Sequence, residues 1–286
     1  MATTRLTLRS ALRGQATLIT GPHRSEHCSV DASTLASLRS RVGRQVRVAR
    51  NGRLALYTVT EAPEDRRARP VLRTGRDGMR RIASASGQSV RIDTAVTNTR
   101  LSEAKAEAAS ELVERHTGEG RRLAVLAPHG GGIEPYTDQQ AKRVEELLGR
   151  ARVQTWRCLG WKRGGGAHER WHITSSEISE ASFPRLRTLS QTRFSHAVAF
   201  HGWEETYIGI GGLADRSTRS RVRRAIDDAV PNVRVRLDDS TDSSGNSERN
   251  IVNRFASGKG VQVEQPLSVR EDHWEAIAAP VAGVFQ

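Results

Sequence analysis

Short runs of apolar residues, broken by glycine and polar turns, dominate the first third of the chain. They have the length and composition of β-strands, and we predict strands at Gln45–Ala49, Leu54–Glu61, Val71–Thr74 and Ser89–Asp93. Asn51-Gly52 and Asp77-Gly78 are hairpin signals, because these residue types accept a positive φ. Residues 1–98 are therefore predicted to form a small, mostly β, antiparallel domain, with a barrel as one form that it could take.

The periodicity changes after Leu101, where helical and strand patterns begin to alternate. Ser102 is a candidate N-cap for a helix that we predict to continue through His116. The later predicted elements are strands at Leu123–Pro128, Gln154–Leu159, Phe194–Phe200, Tyr207–Ile210, Val233–Leu237 and Val261–Glu264, and helices over 138–149, 217–230 and 268–282. This alternation indicates an α/β domain over residues 99–286, in which ligands bind beyond the C-terminal ends of the strands.

The composition adds a strong positive charge, with 45 basic residues against 32 acidic residues and a formal net charge of +13. Such an excess indicates a polyanionic partner or an acidic substrate. Cys28 and Cys158 lie in different predicted domains, which argues against a disulfide. Neither a signal peptide nor an apolar stretch of about 20 residues is recognised. We therefore expect a soluble, cytoplasmic protein without a membrane partner, with phage delivery or release on lysis left open.

One candidate site lies where the predicted strand Leu123–Pro128 breaks into the sequence HGGGIE, residues 129–134. The strand would hold His129, and the glycines would let the backbone turn tightly enough to bring Glu134 back to the same point. Helix 138–149 would follow, with Asp138 as its cap. We interpret His129 and Glu134 as two ligands of one metal ion. A glycine turn with two unrelated polar residues is the alternative.

Three predicted strands end in residues whose chemistry suits a metal site, namely His129, His201 and Glu264. Catalytic zinc uses three protein ligands and keeps a fourth position open, and His129, Glu134 and His201 would supply such a set. Glu264 would then be the general base that takes a proton from the metal-activated water. His172 remains an alternative third ligand or a hydrogen-bond donor to the substrate. The same ligand types also suit manganese or cobalt.

The motifs HGGGIE, WHITS, AVAFHG, IGIGG, NIVNR and GVQVE, followed by Arg270, occur in the order found in phage-type poly-γ-glutamate hydrolases. Residues from about 120 to 286 resemble this family, whose members are similar to zinc carboxypeptidases in fold and cleave γ-linked glutamate chains. The resemblance implies a three-layer domain with a mixed, mostly parallel sheet and one Zn²⁺ per chain. It places the metal ligands on His129, Glu134 and His201 and the catalytic glutamate on Glu264.

The spacing within the first motif separates this chain from the zinc carboxypeptidases proper. Four residues lie between His129 and Glu134, whereas carboxypeptidases have two between their first histidine and glutamate. The wider spacing resembles the poly-γ-glutamate hydrolases, so carboxypeptidase specificity is not implied.

A γ-glutamyl polymer has one free α-carboxylate per residue, and arginine can bind each carboxylate through two hydrogen bonds. Arg254, its neighbour Asn253 and Arg270 are therefore candidate substrate-binding residues, and His172 is a further one. The expected enzyme is a zinc metallohydrolase that cleaves γ-glutamyl amide bonds of a polyanionic peptide such as γ-linked polyglutamate.

Two alternatives to this activity stay open. The first is a metallo-amidase or peptidase acting on cell-wall peptides or other acylated amino acids, because the metal chemistry would be shared. The second is a non-enzymatic nucleic-acid-binding protein that uses the basic surface. Nucleic acid is not favoured as a partner, since aromatic residues make up only 5% of the chain and no helix-turn-helix, zinc-finger or RNA-binding motif is recognised.

Overall fold

The chain divides into two compact units. The computed structural model describes residues 2–64, 70–240, 244–256 and 260–286. The first unit contains the described residues up to Asn98 together with Gly166–Phe183, and the second contains Thr99–Gly165 and Pro184–Gln286.

Residues 166–183 were predicted to lie in the second domain, and the structure places them in the first unit. Residues of this segment bond to strand residues of that unit. Nε2 of His27 lies 2.9 Å from Oε1 of Glu177, and the amide of Gln45 donates to the backbone oxygen of Glu177 over 2.8 Å. These partners are more than 130 residues apart along the chain, so no local pattern could have revealed them.

The helices are short except for three in the second half of the chain. Within the described residues they are α1 (Ala16–Ile19), α2 (Ala32–Ser37), α3 (Arg76–Arg81), α4 (Glu103–Ala108), α5 (Thr137–Leu148), α6 (Ala167–Trp171), α7 (Pro184–Leu189), α8 (Arg216–Ala229), α9 (Ile251–Arg254) and α10 (Leu267–Val284). None of these helices combines the length and the apolar composition that a bilayer span needs.

Six strands of the first unit close into a barrel. They are β1 (Thr3–Ser10), β2 (His27–Val30), β3 (Gln45–Arg50), β4 (Arg53–Glu61), β5 (Val71–Thr74) and β6 (Ser89–Asp93), in the order β1-β5-β2-β4-β3-β6. β1 pairs in parallel with β5, and β2 pairs in parallel with β4. The predicted antiparallel arrangement is therefore wrong for these two pairs and confirmed for the other four. The period of a strand shows which residues face inward but not the direction of its neighbours.

The pairing within the barrel is repeated. β1 pairs in parallel with β5 and antiparallel with β6, while β4 pairs in parallel with β2 and antiparallel with β3. The pattern of strand pairing is therefore unchanged when β1, β2 and β3 are exchanged with β4, β5 and β6, respectively. Alternate residues of each strand fill the interior, among them Leu6, Leu8, Val46 and Val48.

The two predicted hairpin signals in the first unit have different outcomes. Asn51 and Gly52 have φ values of +48° and +76° and join β3 to β4, as predicted. Asp77 and Gly78 instead lie inside α3, so this hairpin prediction is wrong. Asp77 stands in the first turn of the helix, where a carboxylate is favourable, and it pairs with Arg24 over 2.7 Å.

The second unit is built on one mixed sheet of seven strands. They are β7 (Leu112–Gly118), β8 (Leu123–Gly131), β9 (Val153–Gly160), β10 (His196–Trp203), β11 (Ile208–Gly211), β12 (Val235–Leu237) and β13 (Gly260–Pro266). Their order is β12-β11-β13-β10-β8-β9-β7. β13, β10, β8 and β9 run parallel to one another, while β11 and β7 pair antiparallel to β13 and β9. The predicted α/β architecture with a mixed sheet is confirmed.

The largest apolar core of the second unit lies between this sheet and three helices. α5, α8 and α10 contribute side chains that pack with alternate residues of the central strands, including Val198, Phe200 and Val263. Because neighbouring strand residues point to opposite faces, His201 and Glu264 point away from this helical layer. The core thus packs against one face of the sheet, and the polar side chains of His201 and Glu264 lie on the other face.

The predicted helix from Ser102 to His116 is wrong in its second half. Ser102 is the N-cap, and its hydroxyl accepts a hydrogen bond from the backbone of Lys105, but the helix ends at Ala108. Ser110 then adopts a positive φ of +55°, and Leu112–Gly118 forms the edge strand β7. Pairing with β9 overrides the helical propensity of this segment, because it buries residues that a surface helix would expose.

Candidate metal centre

The ends of three neighbouring parallel strands form the candidate site. β10 lies between β8 and β13 in the sheet. His201 on β10 is in direct register with Glu264 on β13. Since parallel strands end at the same edge of a sheet, the turn that follows β8 reaches the same edge.

His129, Glu134 and His201 meet at this edge. Nδ1 of His129 lies 2.8 Å from Oε1 of Glu134, and Nδ1 of His201 lies 3.4 Å from Oε2 of the same carboxylate. The two imidazole rings are edge to face, with centroids 5.0 Å apart. All three side chains are buried, with no residue more than 5% exposed. One carboxylate therefore lies against two imidazoles in a shielded cluster.

The segment HGGGIE folds differently from the simple strand end expected. β8 continues through His129 to Gly131, and its pairing with β9 becomes irregular between Ala127 and Gly130. The backbone N–H of Glu134 donates to the backbone oxygen of His129 over 2.7 Å. This bond closes the turn and brings the glutamate back beside the histidine.

Two of the three glycines in this turn have a structural reason, and both contact Asp138. A Cβ at Gly130 would lie 2.6 Å from the Cβ of Asp138, and Gly131 has a φ of +68°, which disfavours other residues. Asp138 accepts a hydrogen bond from the backbone N–H of Gly131 over 2.9 Å. It therefore ties the turn to the first turn of α5, and the prediction that it caps the helix is wrong, since Tyr136 occupies the N-cap position.

The charges of the cluster are strongly coupled. Burial alone would raise the pKa of Glu134, but the facing rings of His129 and His201 outweigh it and hold this pKa well below its ordinary range. Burial lowers the pKa of His201, against the opposing effect of Glu134. The cluster therefore favours an ionised carboxylate beside a neutral imidazole, which is the protonation state that a metal ligand needs.

Glu264 has the opposite electrostatic character. Burial and the nearby charge of Glu134 raise its pKa well above the ordinary glutamate range. Nε2 of Gln262 donates to Oε1 of Glu264 over 2.7 Å and opposes that rise. Two carboxyl groups of one site thus have pKa values that are pushed apart, which is the arrangement expected of a ligand and a proton acceptor.

A chain of side-chain amides sets the orientation of Glu264. Oδ1 of Asn250 accepts the backbone N–H of Val252 at the start of α9, which leaves its Nδ2 to donate to Oε1 of Gln262 over 2.9 Å. Gln262 must then present its own Nε2 to Glu264. Sequence reasoning missed both amides, although Asn250 as a helix cap and Gln262 two residues before Glu264 on one strand face were visible signals.

The residue after Glu264 forms a second buried amide pair. Gln265 and Gln140 exchange two hydrogen bonds, over 2.7 and 3.0 Å, and neither residue is exposed. This pair joins β13 to α5, the helix that follows the HGGGIE turn. It was not recognised in the sequence, because reciprocal amide bonding between distant residues has no local signature.

Arg270 lies close to the cluster of His129, Glu134 and His201. It is 4% exposed, and its Nη1 donates to the backbone oxygen of Pro135 over 2.6 Å. A Cβ added to Gly202 would lie 2.3 Å from its Nη2, so the glycine after His201 makes room for the guanidinium. The backbone N–H of Gly202 also donates to Oε2 of Glu134 over 2.9 Å. One glycine therefore serves both the predicted ligand and the predicted substrate-binding arginine.

Asn253 and Arg254 have different environments. The amide of Asn253 is buried and donates to the backbone oxygens of Gly245 and Ser247, while its Oδ1 accepts the backbone N–H of Leu213. These bonds engage the whole amide in holding the loop before α9, which argues against a direct contact with substrate. Arg254 is exposed, and its guanidinium lies 5.9 Å from the ring centroid of Phe255.

His172 belongs to the first unit, within the segment 166–183. Its Nδ1 lies 2.5 Å from Oε1 of Glu26, and its ring stacks on His168 with centroids 4.3 Å apart. The other carboxylate oxygen of Glu26 accepts the backbone N–H of Thr174 over 2.8 Å. Glu26 therefore fixes the orientation of the His172 ring. Within the second unit, His129 and His201 are the two histidines that contact the Glu134 carboxylate.

Comparison with known proteins gives a family match for this chain. Residues 97–280 match the family described as poly-gamma-glutamate hydrolase. The chain belongs to this family.

Relatives from Bacillus subtilis (strain 168) are similar over part of their length. The chain is 28% identical over 152 residues to the SPbeta prophage-derived UPF0714 protein YoqZ, a match that covers 53% of this chain and 52% of that protein. It is 27% identical over 154 residues to the UPF0714 protein YndL, with 53% and 56% covered. The chain thus spans about half the length of the curated relatives it matches.

Two solved structures are similar to 60% of the chain. A bacteriophage poly-gamma-glutamate hydrolase has 23% identity and a TM-score of 0.49, covering 60% of this chain and 87% of its own. The zinc-free apo form of YndL has 22% identity and a TM-score of 0.48, covering 60% and 88%.

The residues of the cluster fit a divalent metal ion. Zinc accepts imidazole nitrogens and carboxylate oxygens as ligands, and His129, Glu134 and His201 offer two of the former and one of the latter. Their burial removes competing water, and the ionised Glu134 supplies negative charge to a bound cation. The two imidazoles and the carboxylate of this cluster are thus chemically suited to bind zinc.

Proposed function

We propose that this chain is a zinc-dependent hydrolase of γ-glutamyl amide bonds, with a zinc-carboxypeptidase-like arrangement of its second unit. The observation that carries the proposal is the placement of Glu134 against both His129 and His201, with Glu264 in register beside His201. Membership of the poly-gamma-glutamate hydrolase family supports the choice of bond and substrate.

His129, Glu134 and His201 would hold one Zn²⁺. When bound, zinc supplies Lewis acidity, which polarises a carbonyl and lowers the pKa of water towards neutrality. Gly202 and Gly131 support the ligands from the backbone, because Gly202 donates to Glu134 and Gly131 is bonded to Asp138. The turn and the strand end are thereby held in place before a ligand arrives, as an efficient site requires.

Glu264 is the proposed general base. Its Oε1 is occupied by the hydrogen bond from Gln262, so the proton would be accepted at Oε2. The environment raises the pKa of Glu264 well above the ordinary glutamate range. This moves the pKa towards neutral pH, where a general base accepts a proton most effectively. The same carboxyl group could then return the proton to the leaving amine.

Arg270 is the proposed partner of a substrate carboxylate, with Arg254 as a second candidate. Two of the Arg270 nitrogens are bonded to the backbone oxygens of Gln265 and Pro135, which fixes the guanidinium plane and directs Nη2 towards Gly202. A preorganised guanidinium can bind a carboxylate with little loss of side-chain freedom. His172 is kept as a substrate-binding candidate because Glu26 fixes its ring, while Asn253 would act only by holding its loop.

Metal content tests the proposal directly. Elemental mass spectrometry on protein purified without added metal is expected to find about one zinc per chain in the wild type, and none in His129→Ala. His273→Ala is the matched control, because it removes a partly exposed histidine of α10. Zinc and cleavage of γ-linked polyglutamate should both persist in it. A folded wild type that holds no zinc, and cannot be loaded with it, would contradict the proposal.

A further inference from the structure

The positive charge of the chain is concentrated in its first 98 residues. This part contains 18 arginines and no lysine against seven acidic residues, a net charge of +11. Residues 99–286 contain 27 basic and 25 acidic residues, a net charge of only +2. The hydrolase part is therefore nearly neutral, and the excess charge belongs to the part that contains the barrel strands.

Two adjacent strands of the barrel place arginines directly opposite one another. Arg5 on β1 is in register with Arg91 on β6, and both are exposed. Four residues further along β1, Arg9 is in register with Arg73 on β5. Like charges at opposed positions of a sheet are destabilising. The charges of Arg5 and Arg91 therefore contribute nothing favourable to the pairing of β1 with β6, whereas Arg73 is buried and donates to the backbone oxygen of Ser10.

The residues between these arginines also point outward and are small and polar. Leu6 and Leu8 fill the barrel core, so Arg5, Thr7 and Arg9 share the outer face of β1. Thr7 is in register with Ser89 on β6. We call Arg5, Thr7, Arg9, Ser89 and Arg91 the arginine face. Arg5 and Arg9 are about 13 Å apart along the strand, at about 3.3 Å per residue.

Two other arginines of the first unit bond to residues within it, in contrast to those of the arginine face. Arg81 donates to the backbone oxygens of Leu56 and His172, and Arg47 donates to that of Val96 and lies over the Trp171 ring. Across residues 2–64, 70–240, 244–256 and 260–286, no acidic side chain pairs with any arginine of the arginine face. Nε of Arg9 is buried without a hydrogen-bond partner among the same residues.

We propose that the arginine face binds an anionic polymer of carboxylates, the same polymer that the second unit would cleave. The proposal rests on the proposed function for the identity of that polymer. Arginine forks pair with carboxylates through two hydrogen bonds, and the Thr7 and Ser89 hydroxyls can donate further ones. Binding one polymer chain at two places raises its effective concentration at the cleavage site.

The composition of the face favours a carboxylate polymer over nucleic acid. Surfaces that bind single strands combine positive charge with aromatic side chains on which bases stack. β1 and β6 have the sequences TTRLTLRS and SVRID and contain no aromatic residue. Arginine and hydroxyl side chains without aromatic neighbours suit a polymer whose polar groups are carboxylates and amides.

The test compares polymer binding by three forms of the full chain. Each contains Glu264→Gln, so that bound polymer is not cut. The first has no further change, and the second adds Arg5→Gln, Arg9→Gln and Arg91→Gln. The third is a charge-matched control with three exposed arginines of the second unit replaced by glutamine, Arg121, Arg122 and Arg224. Affinity for long γ-linked polyglutamate is measured over a range of salt concentrations.

Affinity is expected to fall at least about tenfold in the barrel variant, with a weaker dependence on salt, and to stay within about twofold in the control. The thermal unfolding midpoint of the barrel variant should equal or exceed that of its parent, because opposed like charges are removed. Arg→Lys at the same three positions should retain part of the binding, since the charge remains and the fork is lost.

Three results separate the possible failures. Unchanged polymer affinity in a folded barrel variant would overturn the proposal, even if the wild type cleaves polyglutamate and the proposed function stands. Loss of duplex DNA binding without loss of polymer binding would overturn it in favour of nucleic acid. In the third result, the barrel variant loses polymer binding and the protein that retains Glu264 does not cleave the polymer. This result would support binding by the arginine face and contradict the proposed function.

Discussion

The side-chain amide of Gln262 donates a hydrogen bond to Oε1 of Glu264, over 2.7 Å, from two residues earlier on the same strand. The orientation of that amide is set in turn by Asn250, which uses its own oxygen to cap α9. The cap of α9 thus orients the amide that donates to Oε1 of the proposed general base. Four predictions follow from the contacts in this site and from those of Glu26.

Replacing Gln262 by Leu should raise the pKa of Glu264 further, because the hydrogen bond that stabilises its ionised form is lost. The acid limb of the kcat/KM profile should move to higher pH, and kcat at neutral pH should fall by about tenfold. Gln154→Leu is the control, since it removes another buried amide of the second unit, bonded to the backbone oxygen of Gly120. An equal shift of the pH profile in both variants would show that Gln262 has no special relation to Glu264.

Replacing Glu264 by Gln should leave zinc bound and reduce turnover of γ-linked polyglutamate by about 10² to 10⁴-fold, because the proton acceptor is lost while the ligands stay. Zinc is measured by elemental mass spectrometry and turnover by release of new amino groups. Glu271→Gln on α10 makes the same chemical change at an exposed position and should keep full activity. A Glu264→Gln enzyme with wild-type activity would remove this residue from the mechanism.

Replacing Gly202 by Ala should displace Arg270, because the new Cβ would lie 2.3 Å from Nη2. The backbone N–H that donates to Glu134 is retained, so zinc should remain bound while KM for the polymer rises by about tenfold. Gly283→Ala is the matched control on α10, where an added Cβ meets nothing within 4 Å. There the substitution should stabilise the helix by about 0.5–1 kcal/mol. An unchanged KM in Gly202→Ala would argue against Arg270 as a substrate contact.

The first unit should lose stability on acidification because of Glu26. Burial alone would raise the pKa of this carboxyl, but the His172 ring, with Arg81 and Thr174, outweighs it and holds the pKa far below the ordinary range. The folded-state pKa is therefore depressed. Its contribution to stability is complete above the unfolded value, about 4.3, and is lost as the pH falls below it.

Thermal unfolding of the wild type and of Glu26→Gln between pH 7 and pH 3 measures this contribution. The variant should be less stable by about 1–3 kcal/mol at pH 7, since a charged hydrogen-bond acceptor is removed, and the difference should shrink towards pH 3. Glu64→Gln, at an exposed position of the same unit, should follow the wild type. A difference between wild type and Glu26→Gln that does not depend on pH would contradict the assignment.

The candidate site was largely predictable because its residues stand at the ends of strongly apolar strands. His129, His201 and Glu264 each follow or end such a run, and parallel strands of one sheet end at a common edge. The partners of these residues were not predictable in the same way. The bond between Asn250 and Gln262 spans 12 residues, and the Gln140–Gln265 pair spans 125, so neither produces a periodic pattern.

The errors concern places where tertiary pairing overrides local preference. The segment from Leu112 has helical composition, yet it becomes the edge strand β7 because β9 offers it a hydrogen-bonded and buried position. The barrel contains parallel pairs that its hairpin signals did not indicate. The net charge indicated a polyanionic partner, and the register of β1 with β6 then places Arg5 opposite Arg91 on an exposed face.

The sequence by itself determined the α/β character of the second unit, the three strand ends that meet, and the family to which the chain belongs. These features follow from burial and turn formation, which leave periodic and local marks along a chain. Only the tertiary structure decided the closed order of the barrel strands, the place of residues 166–183 in the first unit and the amide chain that orients Glu264. Each of these depends on contacts between residues far apart in sequence, whose free energy appears only once the fold has brought them together.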